Sequence, residues 1–392
     1  MKIALLPGVF FPHPGGAQVQ THNLANKLIK MGHKVDLLIL NKTNIKNNLY
    51  NIIVINKLIL SLLYYINLYF KLDLSFLIKP YLRFFLKKKK YDIFHFQLLN
   101  MKMIYILKLL KSLDQKVIVT FQGIDIQIDK KINYGYRLDN TYAKSLMNII
   151  HCIDMFFSLS ENIYQDLLDL GIDRKKIVMM PNAVEINKFS KNQIKKSGID
   201  NKINLITIAR FAKNKKGFDL LPQIASRLID NKINFQWSIV GHNSIRIKDL
   251  PKMNNFKKNF LFFENIENLN EEFYPHSSLI EILKENHLYI NLARIESFGI
   301  TIIEALASKL PVITFDTKGG NELIKNGFNG TIVDEYLPDK MTDAIINYFE
   351  NKNLYENQKK NTYDSIAKFD LSIIAKESVK IYQNINSIET LK

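Results

Sequence analysis

The sequence predicts an α/β protein built from two consecutive doubly wound domains, and three observations support this. The chain has 392 residues, 47% of them hydrophobic and 23% charged, which is enough for two domains with full cores and too apolar for long disordered regions. Short, nearly continuous apolar runs alternate with amphipathic stretches, as in parallel sheets covered by helices on both faces. A polar, lysine-rich stretch at residues 187–202 interrupts this alternation and is predicted to be the linker.

The apolar runs are the predicted strands, because they are short, rich in β-branched and aromatic residues, and separated by segments of helical spacing. The same arrangement occurs in both halves of the chain. The residues after about 364 are predicted to form a final helix. The predicted strands are residues 2–10, 34–40, 91–96, 116–121, 155–160 and 176–181 in the first half, and 203–211, 234–242, 259–266, 287–293, 311–316 and 330–333 in the second.

Cysteine usage and the amino terminus indicate the compartment. The single cysteine, Cys152, excludes an intramolecular disulfide framework and a thiolate metal cluster, so a reducing compartment is the simplest interpretation. Residues 1–11 have a proline inside the apolar run and no small-residue cleavage pattern, so they are predicted to be the first strand and not a signal peptide. We expect a cytoplasmic protein.

The positive charge is concentrated in the first half of the chain. Lys and Arg number 54 against 37 Asp and Glu, a formal charge of +17, but residues 1–190 hold 26 against 13 and residues 191–392 hold 28 against 24. Residues 57–90 combine eight of these cations with one acid, Asp73, and many aromatic residues. Such a segment suits the surface of an anionic membrane. Its uncharged run, residues 58–70, is 13 residues long, short of the roughly 20 that span a bilayer.

Two other interpretations of residues 57–90 stay open at this point. The apolar run is also compatible with a core helix, and the lysines with a solvated corner. Nucleic acid is the least favoured partner, because no nucleic-acid motif accompanies the basic patch.

Two candidate ligand-binding turns follow predicted strands, where open parallel sheets place their ligands. Gly16 belongs to a glycine turn that opens the first helix, although neither a P-loop nor a G-x-G-x-x-G fingerprint is present. Arg210 ends a strand and precedes Lys213, Lys215 and Lys216, which are placed to neutralise a pyrophosphate. The alternative for the second turn is a solvated basic loop.

The strongest motif runs from Glu296 to Glu304. Glu296 is predicted at the end of a strand or in the turn, with Phe298 and Gly299 beginning the next helix. Free backbone amides there favour an anion, and a second carboxylate at Glu304 could accept both hydroxyls of a ribose.

The motifs ESFGITIIEALASKLPVIT and GGNELIKNGFNGTIV resemble the donor site of the retaining glycosyltransferases of family 4, which have the GT-B fold. The blocks GGAQVQTHNLANKLIKMGHKV, LSENIYQDLLDLGIDRKKIVMMPNAVEINKF and IARFAKNKKGFDLL extend the resemblance over nearly the whole chain. It implies two Rossmann-like domains facing each other across a cleft. The implied domains are an acceptor-binding, membrane-facing domain at residues 1–188, a donor-binding domain at 189–365, and a terminal helix at 366–392 that packs back on the first.

The resemblance also implies roles for individual residues. Gly16 would approach the donor phosphates, and Glu296, with the amides of Phe298 and Gly299, would meet the transferred sugar. Glu304 would hold the ribose. Arg210 and Lys216 would stabilise the departing nucleoside diphosphate, with Lys215 as a rival for the lysine role. The resemblance also implies that no metal and no cofactor besides the nucleotide-sugar donor are needed, and the lack of a His/Asp cluster with ligand spacing is consistent with this.

The sequence departs from the family pattern at residue 122. Family members usually have a histidine before Gly-x-Asp, thought to contact the donor sugar, where this chain has Gln122. Glutamine hydrogen bonds but cannot take a charge at neutral pH, which affects sugar identity. Asp125 is predicted either to orient an acceptor hydroxyl or to cap the following helix. His22, His33 and His95 are predicted to be structural.

The expected function is therefore the retaining transfer of a sugar from a nucleotide-diphosphate donor to a glycan or lipid-linked acceptor. The acceptor would lie at the inner face of a bacterial cell membrane, in the synthesis of surface polysaccharide or lipopolysaccharide. The alternatives are a sugar-nucleotide epimerase, a synthase making a soluble disaccharide, and a non-catalytic membrane scaffold that binds nucleotide or glycan.

Overall fold

A computed structural model describes residues 1–11, 15–43, 45–46, 48–55, 57–70, 72, 74–190, 198–264, 271–317 and 319–387. The chain forms two compact units. Residues 191–197 of the predicted linker, and the first residues of the predicted glycine turn (12–14), lie outside the described residues. The first unit comprises Met1–Asn182, Leu269–Phe273 and Leu371–Lys392, and the second Ala183–Asn268 and Tyr274–Asp370.

The first unit is built on a parallel sheet in the order β3-β2-β1-β4-β5-β6-β7. Its central strand has no exposed surface from Ile3 to Leu6, which is why its sequence is apolar on both faces. The order changes direction at β1, so the strand ends on either side of it are the natural ligand positions. The strands are β1 Lys2–Leu6, β2 Lys34–Ile39, β3 Asn51–Val54, β4 Ile93–Phe96, β5 Val117–Thr120, β6 Met155–Ser158 and β7 Ile177–Met179.

Helices cover this sheet, and several begin at a capping side chain. Asn100, Asp139 and Ser160 each accept hydrogen bonds from the first backbone amides of the helix they precede. The helices are α1 Gly16–Lys30, α2 Lys57–Phe70, α3 Lys79–Lys89, α4 Met101–Lys111, α5 Asn140–Ile150 and α6 Glu161–Asp169.

The second unit repeats the architecture with a parallel sheet in the order β10-β9-β8-β11-β12-β13. Trp237 lies in its core with no exposed surface and donates its indole N–H to Thr207 Oγ1 at 3.0 Å. The strands are β8 Ile203–Ile208, β9 Phe235–Val240, β10 Phe260–Phe263, β11 Leu288–Asn291, β12 Val312–Phe315 and β13 Gly330–Val333. The helices are α7 Asn187–Ser190, α8 Leu221–Asp230, α9 Ser277–Glu285, α10 Ile300–Ala307, α11 Pro338–Glu350 and α12 Lys352–Asn361.

The terminal helix α13, Leu371–Ser387, groups with the first unit. The hydroxyl of Tyr382 lies 2.7 Å from His95 Nδ1, and the Tyr382 ring stacks on Phe157 with 6.2 Å between centroids. The terminal helix therefore packs into the core of the first unit.

Helices α2 and α3 carry an unusual share of exposed apolar side chains. Of the 21 large apolar side chains that are exposed in the described residues, ten lie between Leu58 and Phe84. On α2, exposed Leu58, Leu62, Tyr65 and Tyr69 recur at the spacing of one helix face. None of the described helices combines the length and apolar character needed to cross a bilayer.

Candidate functional site

The loop after β8 carries a cluster of positive charge in the second unit. Arg210 lies just beyond the strand and is exposed. The amide of Lys216 donates to the carbonyl of Ala212 at 2.8 Å, which gives the loop a helical turn. Gly217 has a φ of +67°, and a Cβ there would lie 1.9 Å from the carbonyl oxygen of Leu292. The loop thus lies directly against the end of β11, and only glycine fits at the contact.

Glu296 lies in the connection between β11 and α10. Because β11 ends at Asn291, the expectation that Glu296 ends a strand is wrong, and its predicted place in the turn is confirmed. Phe298 and Gly299 precede the helix and do not begin it, since α10 starts at Ile300. Phe298 is buried, and Gly299 is the N-cap with a φ of +91°, a conformation that glycine adopts readily.

A glycine pair packs against the Glu296 turn. Gly319 has a φ of +83°, and a Cβ there would lie 2.3 Å from the carbonyl oxygen of Glu296. A Cβ on Gly320 would meet Glu296 Cβ at 3.6 Å. The loop after β12 therefore reaches the same turn, and Glu322 beside it is exposed.

The charged side chains of these two loops act on one another. Lys216 Nζ and Glu296 Oε1 form an ion pair, with 19% and 14% of the two side chains exposed. The pKa of Lys215 is lowered to about 7, mainly by burial; the charges of Lys216 and Arg210 lower it further, and that of Glu296 raises it. The structure therefore brings Arg210, Lys215, Lys216 and Glu296 into one electrostatic cluster.

Glu304 lies on α10 and is almost fully buried, at 4% exposed. Near it is Tyr289 of β11, whose hydroxyl lies 2.7 Å from Thr301 Oγ1. Burial raises the pKa of Tyr289 above its usual range, and the charges of Glu296 and Glu304 raise it further. Tyr289 is thus within electrostatic reach of both predicted carboxylates; a tyrosine inside an apolar strand gave no sequence signal of this.

Arg294 is a second residue that sequence reasoning missed. Its guanidinium binds Asp219 with two nitrogens on two oxygens, each at 2.7 Å, and its Nη1 also donates to the carbonyl of Asn214 at 2.6 Å. Its backbone amide donates to the carbonyl of Lys215 at 2.9 Å. The guanidinium also lies over the Tyr336 ring, 4.7 Å from the centroid. No motif marked Arg294, although it lies two residues before Glu296.

This arrangement suits a multiply charged anion. Three cations share the cluster with one carboxylate, and Lys215 can take up a proton when negative charge arrives. The dipole of α10 adds a partial positive charge at its amino end, which follows the Glu296 turn. The individual roles expected for these residues stay predictions.

In the first unit, Gly16 is exposed at the start of α1. Its neighbour Gly15 is the N-cap, with extended backbone and no side chain to occupy the first amides. The role of Gly16 in approaching the donor phosphates remains a prediction.

Asp125 and Gln122 lie in one turn after β5. Asp125 has no exposed surface, and its carboxylate accepts the backbone amides of Gln122 at 2.8 Å and Leu99 at 3.0 Å. The predicted cap of the following helix is wrong, because α5 is capped by Asp139. Burial raises the pKa of Asp125 to about 7, against the effect of these amides. The carboxylate joins two loops inside the unit, which leaves no exposed oxygen for an acceptor hydroxyl in this structure.

Gln122 itself is half-buried. Its Nε2 is buried and has no hydrogen-bond partner among the described residues. A buried donor without a partner lowers the stability of the folded state. The Gln122 amide therefore has hydrogen-bonding capacity that a ligand could use.

The histidines predicted as structural at positions 22 and 95 are buried in the first unit. His95 Nε2 lies 2.8 Å from Thr120 Oγ1, opposite its contact with Tyr382, and burial lowers the pKa of His95 to about 3. Burial likewise lowers the pKa of His22 to about 4. Both rings are therefore neutral packing groups, which confirms the prediction for these two. Among the described residues, no three His, Cys, Asp or Glu side chains are grouped so as to hold a metal ion.

Comparisons with known proteins cover almost the whole chain. The family description Glycosyltransferase Family 4 matches residues 14–188, and Glycosyl transferases group 1 matches residues 189–365. An uncharacterized 41.2 kDa protein in the cps region of Klebsiella pneumoniae is 26% identical over 76% of this chain and 80% of its own length.

Solved structures share the fold. Anabaena HepE, in complex with UDP and glucose, superimposes with a TM-score of 0.73 over 98% of this chain and 99% of HepE at 15% identity. WaaG, a glycosyltransferase involved in lipopolysaccharide biosynthesis, superimposes with a TM-score of 0.68 over 97% and 99% at 15% identity. At these identities the superpositions establish the GT-B fold for the two parallel sheets described above.

Proposed function

The chain belongs to the family 4 glycosyltransferases, and from that premise we propose that it transfers a sugar from a nucleotide-diphosphate donor with retention of configuration and without a metal ion. The observation that carries the proposal is the cluster of Arg210, Lys215, Lys216 and Glu296 at the strand ends of the second unit. A solved relative in fold binds UDP and glucose, which supports a nucleotide-sugar as the donor.

The positive side chains would supply the electrostatic part of catalysis. As the bond between the sugar carbon and the phosphate oxygen breaks, its electron pair goes to the diphosphate, and Arg210 with the two lysines stabilises that charge. The acceptor oxygen forms its bond on the same face of the sugar. Its proton passes to the leaving phosphate oxygen, so the step needs no carboxylate nucleophile. In this proposal Glu296 and the amides near Gly299 contact the sugar, and Glu304 holds the ribose.

The proposed acceptor is lipid-linked and is reached by docking the first unit on an anionic membrane. The exposed side chains of Leu62 and Tyr69 on α2 and Phe84 on α3 are 61%, 73% and 72% exposed. Arg83, Lys87 and Lys88 of α3 are exposed beside them. Apolar rings with flanking cations match the headgroup region of an acidic bilayer.

The proposed setting is bacterial surface polysaccharide or lipopolysaccharide synthesis. It is supported by the fold shared with WaaG, which acts in lipopolysaccharide biosynthesis, and by the relative from the Klebsiella cps region. A glycan built on a lipid would be presented at the surface that α2 and α3 contact.

The donor site is tested by the thermal stabilisation that UDP, GDP, ADP and their sugars give the purified protein in the presence of EDTA. Because a ligand of the native state raises the melting temperature, we expect one nucleotide to do so. The shift should be lost in Arg210→Ala and Glu304→Ala. Arg227→Ala is the matched control, since Arg227 pairs with Asp339 elsewhere in the second unit and should keep the shift.

The stereochemistry and the metal requirement are read from turnover. Hydrolysis or transfer with the stabilising nucleotide-sugar should give a product with the donor's anomeric configuration, at the same rate with EDTA. An inverted product, or activity restored only by a divalent ion, contradicts the proposal. Binding without any turnover would favour the non-catalytic scaffold, for which the unpaired Gln122 amide is the observation in favour.

The membrane surface is tested by sedimentation with vesicles of phosphatidylcholine containing phosphatidylglycerol, compared with phosphatidylcholine alone. The triple variant Leu62→Ser, Tyr69→Ser, Phe84→Ser should bind anionic vesicles at least about tenfold more weakly, since each side chain loses apolar contact with the bilayer. The control changes three exposed apolar residues of the second unit, Ile229, Leu261 and Leu337, to serine. Equal binding by the two triple variants would overturn the assignment.

A further inference from the structure

We propose that Arg294 is a positioning residue of the donor site. It holds the loop after β8, residues 209–217 (the lysine loop), at the place where Lys215 and Lys216 meet the phosphates. The inference rests on the proposed function for the identity of the ligand. It goes beyond that function because Arg294 lies in none of the motifs that define the site.

The contacts of Arg294 converge on the lysine loop from three directions. Its side chain holds the carbonyl of Asn214 and its backbone amide holds the carbonyl of Lys215, at 2.6 and 2.9 Å. Its two-pronged pair with Asp219 fixes the guanidinium just after the loop, at the 3-10 turn that Phe218 begins. One side chain and one amide therefore fix two consecutive carbonyls.

The flat face of the guanidinium is also in contact with the protein. Tyr336 lies under it, and the Tyr336 hydroxyl donates to the carbonyl of Leu292 at 2.5 Å. Leu292 is the residue against which Gly217 packs. Arg294 is thus at the centre of a set of contacts. They join the segment after β11, the lysine loop and Tyr336.

This connection matters because the lysines and Glu296 lie on different loops. The Lys216–Glu296 ion pair forms only if the loop after β8 and the turn after β11 keep the distance between them. Arg294 lies in the connection after β11 and holds the loop after β8 through its contacts with Asn214 and Lys215. A displacement of about 1 Å in a positioned group can reduce a rate by about 10², so a loosened loop should reduce phosphate binding without unfolding the unit.

An arginine is needed here and a lysine does not substitute for it. The guanidinium presents several donors in a planar fork, which binds both oxygens of Asp219 and a carbonyl together and lies flat on Tyr336. A lysine keeps the charge near the phosphates but offers one nitrogen. Arg294→Lys therefore separates positioning from charge.

The experiment compares Arg294→Lys with the matched control Arg227→Lys, another arginine paired with an aspartate in the same unit. Asp219→Asn is a second variant that leaves Arg294 in place. Two measurements are made on the full chain: hydrogen exchange of the peptide containing residues 210–220, and the affinity for UDP relative to uridine, with GDP and ADP and their nucleosides measured in parallel.

In Arg294→Lys we expect faster exchange confined to residues 212–218 and about tenfold weaker diphosphate binding, with nucleoside binding within about twofold of wild type. Asp219→Asn should also speed the exchange and weaken diphosphate binding. The double variant that combines Asp219→Asn with Arg294→Lys should bind diphosphate no more weakly than Arg294→Lys alone. A diphosphate-to-nucleoside ratio unchanged from wild type overturns the inference. So does an equal loss for both ligands, or faster exchange throughout the second unit. If the wild type itself prefers no diphosphate over its nucleoside, the proposed function fails instead, and the exchange result still decides whether Arg294 holds the loop.

Discussion

The two units share one topology but place opposite chemistry at the ends of their strands. In the second unit the loops after β8 and β11 carry Arg210, Lys216 and Glu296, which are charged and at least partly exposed. In the first unit, two polar residues toward the carboxyl ends of β4 and β5 are buried. There, His95 and Asp125 use their polar atoms on groups inside the unit. The second unit thus presents charged side chains at these strand ends, whereas His95 and Asp125 of the first unit are hydrogen-bonded internally.

For exposed apolar side chains the difference is reversed, because the first unit has more of them. Among the described residues, ten exposed large apolar side chains lie between Leu58 and Phe84 of the first unit, whereas four, scattered along its sequence, lie in the second unit. Exposed cations of α3, Arg83, Lys87 and Lys88, accompany this apolar face, so the first unit has its unusual surface on α2 and α3, whereas the second has its charged cluster at strand ends. Three predictions test this division of roles.

The largest effect is expected for Lys216→Met. Removing a preorganised cation from a developing phosphate charge typically costs about 10²–10³ in kcat, and the half-buried Glu296 loses its partner. Steady-state kinetics with the stabilising nucleotide-sugar measures this. Lys257→Met, at an exposed lysine of the same unit, is the control and should change kcat by less than about twofold. Similar losses in both variants would mean that the second unit acts only through its overall charge.

An intermediate effect is expected from pH. With a pKa of about 7 in the free protein, Lys215 is largely neutral above pH 7, whereas a bound diphosphate raises that pKa. Binding then takes up a proton, so affinity should fall as pH rises from about 7 to about 9, by up to tenfold per unit, and be flat below about 7. Calorimetry at several pH values measures it.

Lys215→Met should flatten that profile, while Lys213→Met, at an exposed neighbour, should keep it. An equally steep profile in Lys215→Met would assign the titration to another group and remove Lys215 from the charged cluster.

The smallest effect is expected in the first unit, for Tyr382→Phe. The change removes the hydroxyl at His95 Nδ1 and leaves Gln97 Nε2, 3.2 Å away, as the remaining contact of that nitrogen. We expect a loss of about 1–2 kcal/mol, seen as a melting temperature a few degrees lower, with nucleotide binding unchanged. The control is Tyr363→Phe, whose hydroxyl makes no hydrogen bond within the described part of the chain. A loss of nucleotide binding without loss of stability would break the distinction between the units.

Apolar runs predicted the sheets well because buried parallel strands need them on both faces. Each predicted run contains a strand, but the runs extend too far: residues 2–10 include a strand that ends at Leu6, since Pro7 and the left-handed Gly8 follow. The edge strand β3 was missed. It has only four residues, Asn51–Val54, and they are partly exposed, so its apolar run is too short to stand out in the sequence.

The site could be predicted where its chemistry is local in sequence. Glu296, Gly299 and Glu304 lie in one motif, and the sequence placed them at a strand-to-helix connection, which the structure has between β11 and α10. Arg294 could not be found, because its partners Asn214 and Asp219 are distant in sequence and only the fold brings them close. The cap predicted for Asp125 was wrong for the same reason, since the amide of Leu99 that binds it belongs to another loop.

The return of α13 to the first unit determines how the protein can be divided and recombined. A chimaera made by exchanging everything after Asn182 with a relative would separate Tyr382 from His95 and Phe157. The foreign terminal helix would then have to fit a core with which it did not evolve. Swapping donor specificity between relatives should therefore use an internal cassette that ends at Asp370, with the short segment Leu269–Phe273 kept with the first unit to which it belongs.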